Sequence, residues 1–209
     1  MKIAINTLPL SSGHKNRGIG IYTKNLIDNL TKFDKENHYV FFENINELKD
    51  VDLVHYPFFD PFFLTLPINK PFPTVVTVHD LTPIVFKRHF PPGIKGKVFW
   101  KIQKSLLGRT EHIITDSNNS KNDIVRIVRV PEKKVSVVYL AAGEEFKRLE
   151  IVPQEDLPLH GGGDWGLKIK KKYGLPDRFF LYVGDATWNK NLPRLVAVIQ
   201  KIGLPLVMV

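Results

Sequence analysis

Three places in the sequence combine residue types that handle phosphates or sugar hydroxyls. The first is KNRGIGIYTKNL, in which Gly18 and Gly20 fall between an opening apolar run and an amphipathic segment. A glycine turn there lets main-chain N–H groups and the positive end of a helix approach a phosphate, although the same two glycines also suit a plain tight turn. The spacing is neither GxGxxG nor GxxxxGK followed by Ser or Thr, so neither a dinucleotide dehydrogenase nor a P-loop NTPase is indicated. The second place is TVVTVHDLTP, where an apolar run delivers His79 and Asp80 at its carboxyl end. His79 is placed to bond a sugar hydroxyl or a phosphate, or to be a satisfied structural histidine; Asp80 is placed to orient it or to cap the next turn. The third is FFLYVGDATWNKNLPRL, where Lys190 stands just before a helix opening near Asn191 or Leu192. A lysine at that point meets a diphosphate already favoured by the helix end, or else faces solvent. Trp188 either stacks on a ligand or covers the loop, and Asn189 and Asn191 serve equally well as caps or as ligand contacts.

The elements that must position these residues follow from hydrophobic period. Lys2 to Asn6, Tyr39 to Phe42, Leu53 to His55, Thr74 to His79, His112 to Thr115 and Val135 to Tyr139 read as strands. Between them lie helical stripes, one through Ile19, Tyr22, Leu26 and Leu30, another through Val98, Ile102 and Leu106 with Phe99 and Leu107. Ser117 reads as the N-cap of a helix that carries Ile124, Ile127 and Val128 and stops at Pro131. Strands alternating with helices predict an α/β fold with a parallel sheet. The texture changes at IVPQEDLPLHGGGDWG, whose breakers and three consecutive glycines predict a loop or linker. The short basic helix KIKKKYGLPDR, the strand FFLYVG, a further helix and the run LPLVMV then begin a second unit. The expected division is a first domain at 1–150, a linker at 151–177 and the start of a second domain at 178–209. A unit ending on a hydrophobic strand leaves an edge and an apolar face uncovered, so the natural protein is expected to continue beyond Val209.

Composition narrows the chemistry. The 209 residues contain no cysteine, which excludes disulfide scaffolds, thiolate nucleophiles, iron–sulfur clusters and cysteine-containing zinc sites. His14, His55, His79 and His89 lack zinc-ligand spacing, and no metal site is expected. KIAINTLPL is too short and polar for a signal peptide, and YPFFDPFFLTLPI is broken by Asp60, Pro61 and Pro67, short of a membrane span. The formal net charge of +9 favours polyanions, anionic membrane surfaces or phosphorylated ligands without choosing among them.

Taken in order, these segments resemble glycosyltransferase family 4. RGIGIYTKNL is similar to the family's glycine-rich loop and first helix, TVVTVHDLTP to its strand-end histidine segment, and ITDSNNSKNDI to its T-x-S-x-x-S-K-x-D-I segment. VSVVYLAAGEEF resembles the strand before the domain crossing, and FFLYVGDATWNKNLPRL the opening of the donor-binding domain, in a mannosyltransferase-type variant. The resemblance implies a GT-B fold: a Rossmann-like parallel sheet with helices on both faces, then a second Rossmann-like domain that is incomplete here. It implies a retaining transferase that moves a hexose, mannose from GDP-mannose, to a glycan or lipid-linked acceptor without a metal cofactor. Gly18, Gly20 and Lys190 would then bind the donor diphosphate and His79 would lie near the transferred sugar. Ser117 and Ser120 would shape the cleft floor or cap a helix, and Lys121 would face solvent or acceptor. Asp185 stands where the family often has arginine, and an acid beside a diphosphate is unfavourable unless it turns away or pairs with a base. The family's E-x7-E segment is expected beyond residue 209, so the chain alone is expected to be inactive.

A cytoplasmic protein is expected, and the basic balance with the aromatic, proline-broken segment Tyr56 to Phe72 suggests a peripheral place at the cytosolic membrane face. Arg88, Lys95, Lys97, Lys101, Lys104 and Arg109 either form a surface for a lipid-phosphate-linked acceptor or are a solvated helix face. No helix-turn-helix, zinc finger or RNP-like strand pair supports a nucleic-acid partner. The alternative reading is a two-lobed sugar-binding or degenerate non-catalytic module.

Overall fold

The computed structural model describes residues 1–143 and 169–209; most of the expected linker at 151–177 lies outside them. The chain separates into two compact units, Met1–Phe146 and Lys147–Val209.

Every strand of the first unit runs in the same direction. β1 (Lys2–Asn6), β2 (His38–Phe42), β3 (Leu53–Tyr56), β4 (Thr74–Thr77), β5 (His112–Thr115) and β6 (Val135–Val137) form one six-stranded sheet in the order β2-β1-β3-β4-β5-β6, parallel throughout. This is the Rossmann-like arrangement expected from the sequence. Central strands of such sheets are covered on both faces, which is why they read as continuous apolar runs. Ala4, Val54, Val76, Val78 and Ile113 have no exposed surface and form one core with Leu107 and Ile124 from the flanking helices. β6 is shorter than the run Val135 to Tyr139 implied. The Val138 N–H still donates to Thr115 O, but Val138, Tyr139 and Leu140 are exposed at the sheet edge.

The helices of this unit are α1 (Leu8–Ser11), α2 (Gly18–Phe33), α3 (Thr82–Val85), α4 (Gly93–Gly108) and α5 (Asn118–Val128). Ser117 caps α5 as expected, its hydroxyl oxygen accepting from the Ser120 N–H, and Arg129 closes the helix in the left-handed region at φ 68°. On α4 the apolar stripe is rotated from its sequence reading. Val98 points to solvent, and the face turned inward carries Gly96, Gln103, Leu106 and Leu107. Gln103 is fully buried because it clasps the incoming strap between β3 and β4. Its amide oxygen accepts from the Leu66 N–H and the Thr65 hydroxyl, and its amide N–H donates back to Leu66 O. The far end of α4 is finished by two lysines, Lys70 donating to Leu106 O and Lys134 to Gly108 O, where the helix leaves its carbonyls open.

In the second unit β7 (Phe180–Tyr182) and β8 (Leu206–Met208) pair in parallel around α6 (Leu192–Ile202). Asn191 enters α6 at φ 52° and Gly203 ends it at φ 74°. Among the described residues no helix is long and apolar enough to cross a membrane.

Replacing Gln103 by leucine keeps the volume but strands the Leu66 N–H and C=O in the core. A loss of about 2–4 kcal/mol is expected, read as a lower urea midpoint at unchanged slope.

Candidate functional site

A sheet ordered β2-β1-β3-β4 has its switch point between β1 and β3, where successive connections leave in opposite directions and open a crevice at the carboxyl ends. The structure holds a cavity of about 530 Å³ there, lined by Asn6 at the end of β1 and Tyr56 at the end of β3. His14, Arg17, Phe58 and Asp60 also reach it, His14 packed on the Phe58 ring at 4.7 Å between centroids. Asn6 is buried and fixes the rim: its amide nitrogen donates to Phe42 O and Glu43 O, and its oxygen accepts from the Leu8 N–H.

Two strands along, β4 and β5 deliver a histidine and a carboxylate to the same end of the sheet. Their register pairs Thr77 with Ile114. Two residues further, His79 and Asp116 face each other, with Nδ1 2.6 Å from Oδ2 and each side chain about one-fifth exposed. A carboxylate only accepts, so Nδ1 carries the proton, and in the neutral ring Nε2 presents a lone pair. Nε2 is buried and has no hydrogen-bond partner in the structure. A buried polar atom left open in this way fits an incoming ligand hydroxyl or N–H.

Sequence reasoning paired His79 with Asp80, offering an orienting role or a turn cap, and the second holds. Asp80 Oδ1 accepts from the Thr82 N–H and the residue is exposed. The orienting carboxylate is Asp116, which sits in the quoted ITDSNNSKNDI segment but was not among the candidate residues. The signal that finds it is a polar residue just past each of two adjacent parallel strands.

Tyr22, in the second turn of α2, also escaped notice as a site residue. Its ring meets His79 edge-on at 4.7 Å and its hydroxyl lies 3.3 Å from Thr77 Oγ1. Thr77 is held in turn by His55 Nε2 at 2.9 Å. Burial, with the Asp116 charge a lesser cause, raises the Tyr22 phenol above its usual range against the lowering effect of the Thr77 bond. Burial pushes the His55 imidazole down to about 4. The chain His55, Thr77, Tyr22 therefore stays neutral and supports the ring beside the dyad.

The two glycines differ. A Cβ on Gly20 would stand 2.4 Å from His14 O and 2.5 Å from Lys15 O, so this position is held to glycine by the chain's own backbone. Gly18, the first residue of α2, has open space around its missing Cβ. Ser120 bonds Ser117, and Lys121 pairs with Glu132 at 3.1 Å. Lys190, Trp188 and Asn189 lie in the second unit: Lys190 ends a short helical turn just before α6, Trp188 is half exposed, and Asn189 accepts from the Thr187 hydroxyl. Asp185 lends its carbonyl to the Tyr182 hydroxyl. Among the described residues no group of three or more His, Asp or Glu side chains is gathered as a metal site would need.

A parallel sheet with a switch-point cavity and a histidine–carboxylate pair at its carboxyl edge defines an α/β ligand-binding domain of the kind that handles nucleotides and sugars. Residues 35–142 match the model of glycosyltransferase family 4, and the chain belongs to that family. Two Escherichia coli proteins, each described as a serotype-specific mannosyltransferase WbdA, are 24% identical to it over 138 residues. The match covers 66% of this chain and 16% and 15% of theirs, so the chain spans about one-sixth of the length of these curated relatives.

Two outcomes are expected. Because the folded His55 pKa of about 4 lies below the ordinary 6.5, the unfolded chain takes up the proton first. This contribution to stability is complete above about pH 6.5 and falls away as the pH drops toward about 4, by about 3 kcal/mol in all. His55→Gln flattens that part of the pH dependence in urea titrations. For the dyad, nitrogen-15 spectra of labelled histidine at about pH 8 are expected to show His79 protonated at Nδ1 only, and Asp116→Ala to give a tautomer mixture.

Proposed function

We propose that this chain is part of a retaining glycosyltransferase that moves a hexose, mannose from GDP-mannose, onto a hydroxyl of a glycan or lipid-linked acceptor. The observation that carries the reading is the open Nε2 of His79, held by Asp116 at the carboxyl edge of a family 4 sheet. The description of the two relatives as mannosyltransferases supports the choice of sugar. Residues 1–150 are the acceptor-side domain and residues 178–209 open the donor-binding domain. The enzyme works in the cytoplasm, at the cytosolic face of the membrane.

In this reading the transfer breaks the bond between the sugar's anomeric carbon and the donor phosphate and forms one to the acceptor oxygen on the same face. The negative charge that develops on the leaving diphosphate is met by Lys190 and by the N–H groups at the start of α2, around Gly18 and Gly20, without a metal. His79 accepts a hydrogen bond from a hydroxyl of the transferred sugar through Nε2 and acts in orientation; the proton of the acceptor hydroxyl leaves with the diphosphate. Asp116 keeps the imidazole in the tautomer that can accept. Ser117 and Ser120 are structural, at the start of α5; Asp80 is the remaining cleft-lining candidate of the first unit, and Trp188 and Asn189 are those of the second.

Calorimetry on the intact protein tests this. GDP is expected to bind more tightly than UDP or GMP. Tighter UDP binding keeps the family and changes the donor, while binding of free mannose without any nucleotide supports the two-lobed sugar-binding module instead. Lys190→Ala is expected to lower kcat by about 10²–10³-fold, the range seen when one donor to a developing oxyanion is removed. His79→Ala is expected to lower kcat/KM comparably, and near-normal rates would remove either residue from the site.

A further inference from the structure

Between Leu81 and Thr110 the chain has no aspartate or glutamate, but it has Lys87, Arg88, Lys95, Lys97, Lys101, Lys104 and Arg109. With 21 acidic residues in 209, a stretch of this length carries about three on average, so its positive charge is unusually unopposed. The same stretch forms α3 and α4, and α4 has two faces. Gly96, Gln103, Leu106 and Leu107 turn inward, while Ile94, Lys97, Val98 and Lys101 recur at the spacing of one outward stripe. Ile94 is 84% exposed and Val98 51% exposed, with lysines beside both.

Beside this stripe lies a second cavity, about 520 Å³, whose lining residues include the apolar Phe62, Ile84 and Trp100 and the basic Lys87, Lys97 and Lys101. A solvated helix face needs charge but has no use for two protruding aliphatic side chains and an apolar hollow. A nucleic-acid surface would likewise gain nothing from Ile94. Aliphatic groups set among lysines match a bilayer interface, where the apolar groups enter the acyl boundary and the ammonium groups meet lipid phosphates.

We propose that the outward face of α4, with its adjoining cavity, docks the first unit on an anionic bilayer, Ile94 and Val98 entering the interface and Lys87, Lys97 and Lys101 holding lipid phosphate headgroups. Topology gives the docking a use. A crossover helix starts at the carboxyl end of one parallel strand and returns toward the amino end of the next. The first turns of α4 therefore stand at the end of the sheet that carries His79 and Asp116. A chain docked by this face holds its candidate site toward the lipid surface, where a lipid-linked acceptor would be presented. That last step rests on the glycosyltransferase reading; the docking itself does not.

Vesicle flotation of the full chain tests the docking without any substrate, so its failure and a failure of donor binding are separate results. Vesicles of phosphatidylcholine with phosphatidylglycerol are expected to carry the protein, and vesicles of phosphatidylcholine alone are not. The Lys97→Glu, Lys101→Glu double variant is expected to reduce partitioning by at least roughly tenfold. Lys171→Glu with Lys172→Glu, an equal charge change in the second unit, should leave most of the binding intact. Ile94→Ser with Val98→Ser, both exposed and therefore compatible with folding, is expected to remove the part of the binding that survives high salt. No binding to anionic vesicles at low ionic strength overturns the proposal. It is also overturned if the two lysine pairs are equivalent, or if the serine variant binds as the parent does and heparin retains both alike, because the surface would then be a general polyanion site.

Discussion

A parallel sheet places one constraint on everything else in the first unit. Its strands are covered on both faces, so their interiors must be apolar, and each crossover must begin at the carboxyl end of one strand and return to the amino end of the next. Polar side chains that strand interiors reject are tolerated just beyond those carboxyl ends. Asn6 and Tyr56 are the last residues of β1 and β3, and His79 and Asp116 follow the ends of β4 and β5, so the four mark the same edge on four neighbouring strands. The cavity at the switch point and the histidine–carboxylate pair are two results of the same rule. The pair needs nothing beyond the β4–β5 register, which carries residue 79 opposite residue 116.

Around that edge the supporting polar groups are few and each is answered. His55 is buried on β3 yet bonds Thr77, and Thr77 bonds Tyr22, whose ring steadies His79. Desolvation keeps both ends of this chain uncharged. The group that departs from the pattern is Nε2 of His79. A buried nitrogen without a partner costs stability, and sites of function are where such costs are retained. The two nitrogens of this ring are thus unequal, one committed to Asp116 and one buried and open.

Much of this was legible beforehand because strand interiors announce themselves. KIAIN and HIIT appear with the bounds expected of them, and the parallel class followed from their alternation with helices. Ser117 was readable as a cap because capping is local, as was the turn-capping alternative for Asp80. The partnership of His79 with Asp116 was not, since it depends on which strands become neighbours and in what register. Val98 was misplaced, and Gln103 left unmarked, for a related reason. Periodicity ranks residues by apolarity, and a glutamine buried to satisfy a strap's backbone breaks that ranking, as does a valine turned to solvent. Val138 and Tyr139 extended the last strand on paper because an apolar edge and an apolar interior look alike in one dimension.

The glycine pair at the head of α2 has a consequence for how this chain tolerates variation. At Gly20 the obstruction is main chain, His14 O and Lys15 O, and it meets the first carbon of any side chain. Alanine and tryptophan therefore collide there with the same two oxygens, and a saturation library should be nearly flat and uniformly poor at that codon. At Gly18 the space is open, so replacements should grade by size, charge and helix propensity. A map of mutational tolerance would thus single out Gly20 as the less tolerant of the two for a reason that lies in packing rather than in any ligand.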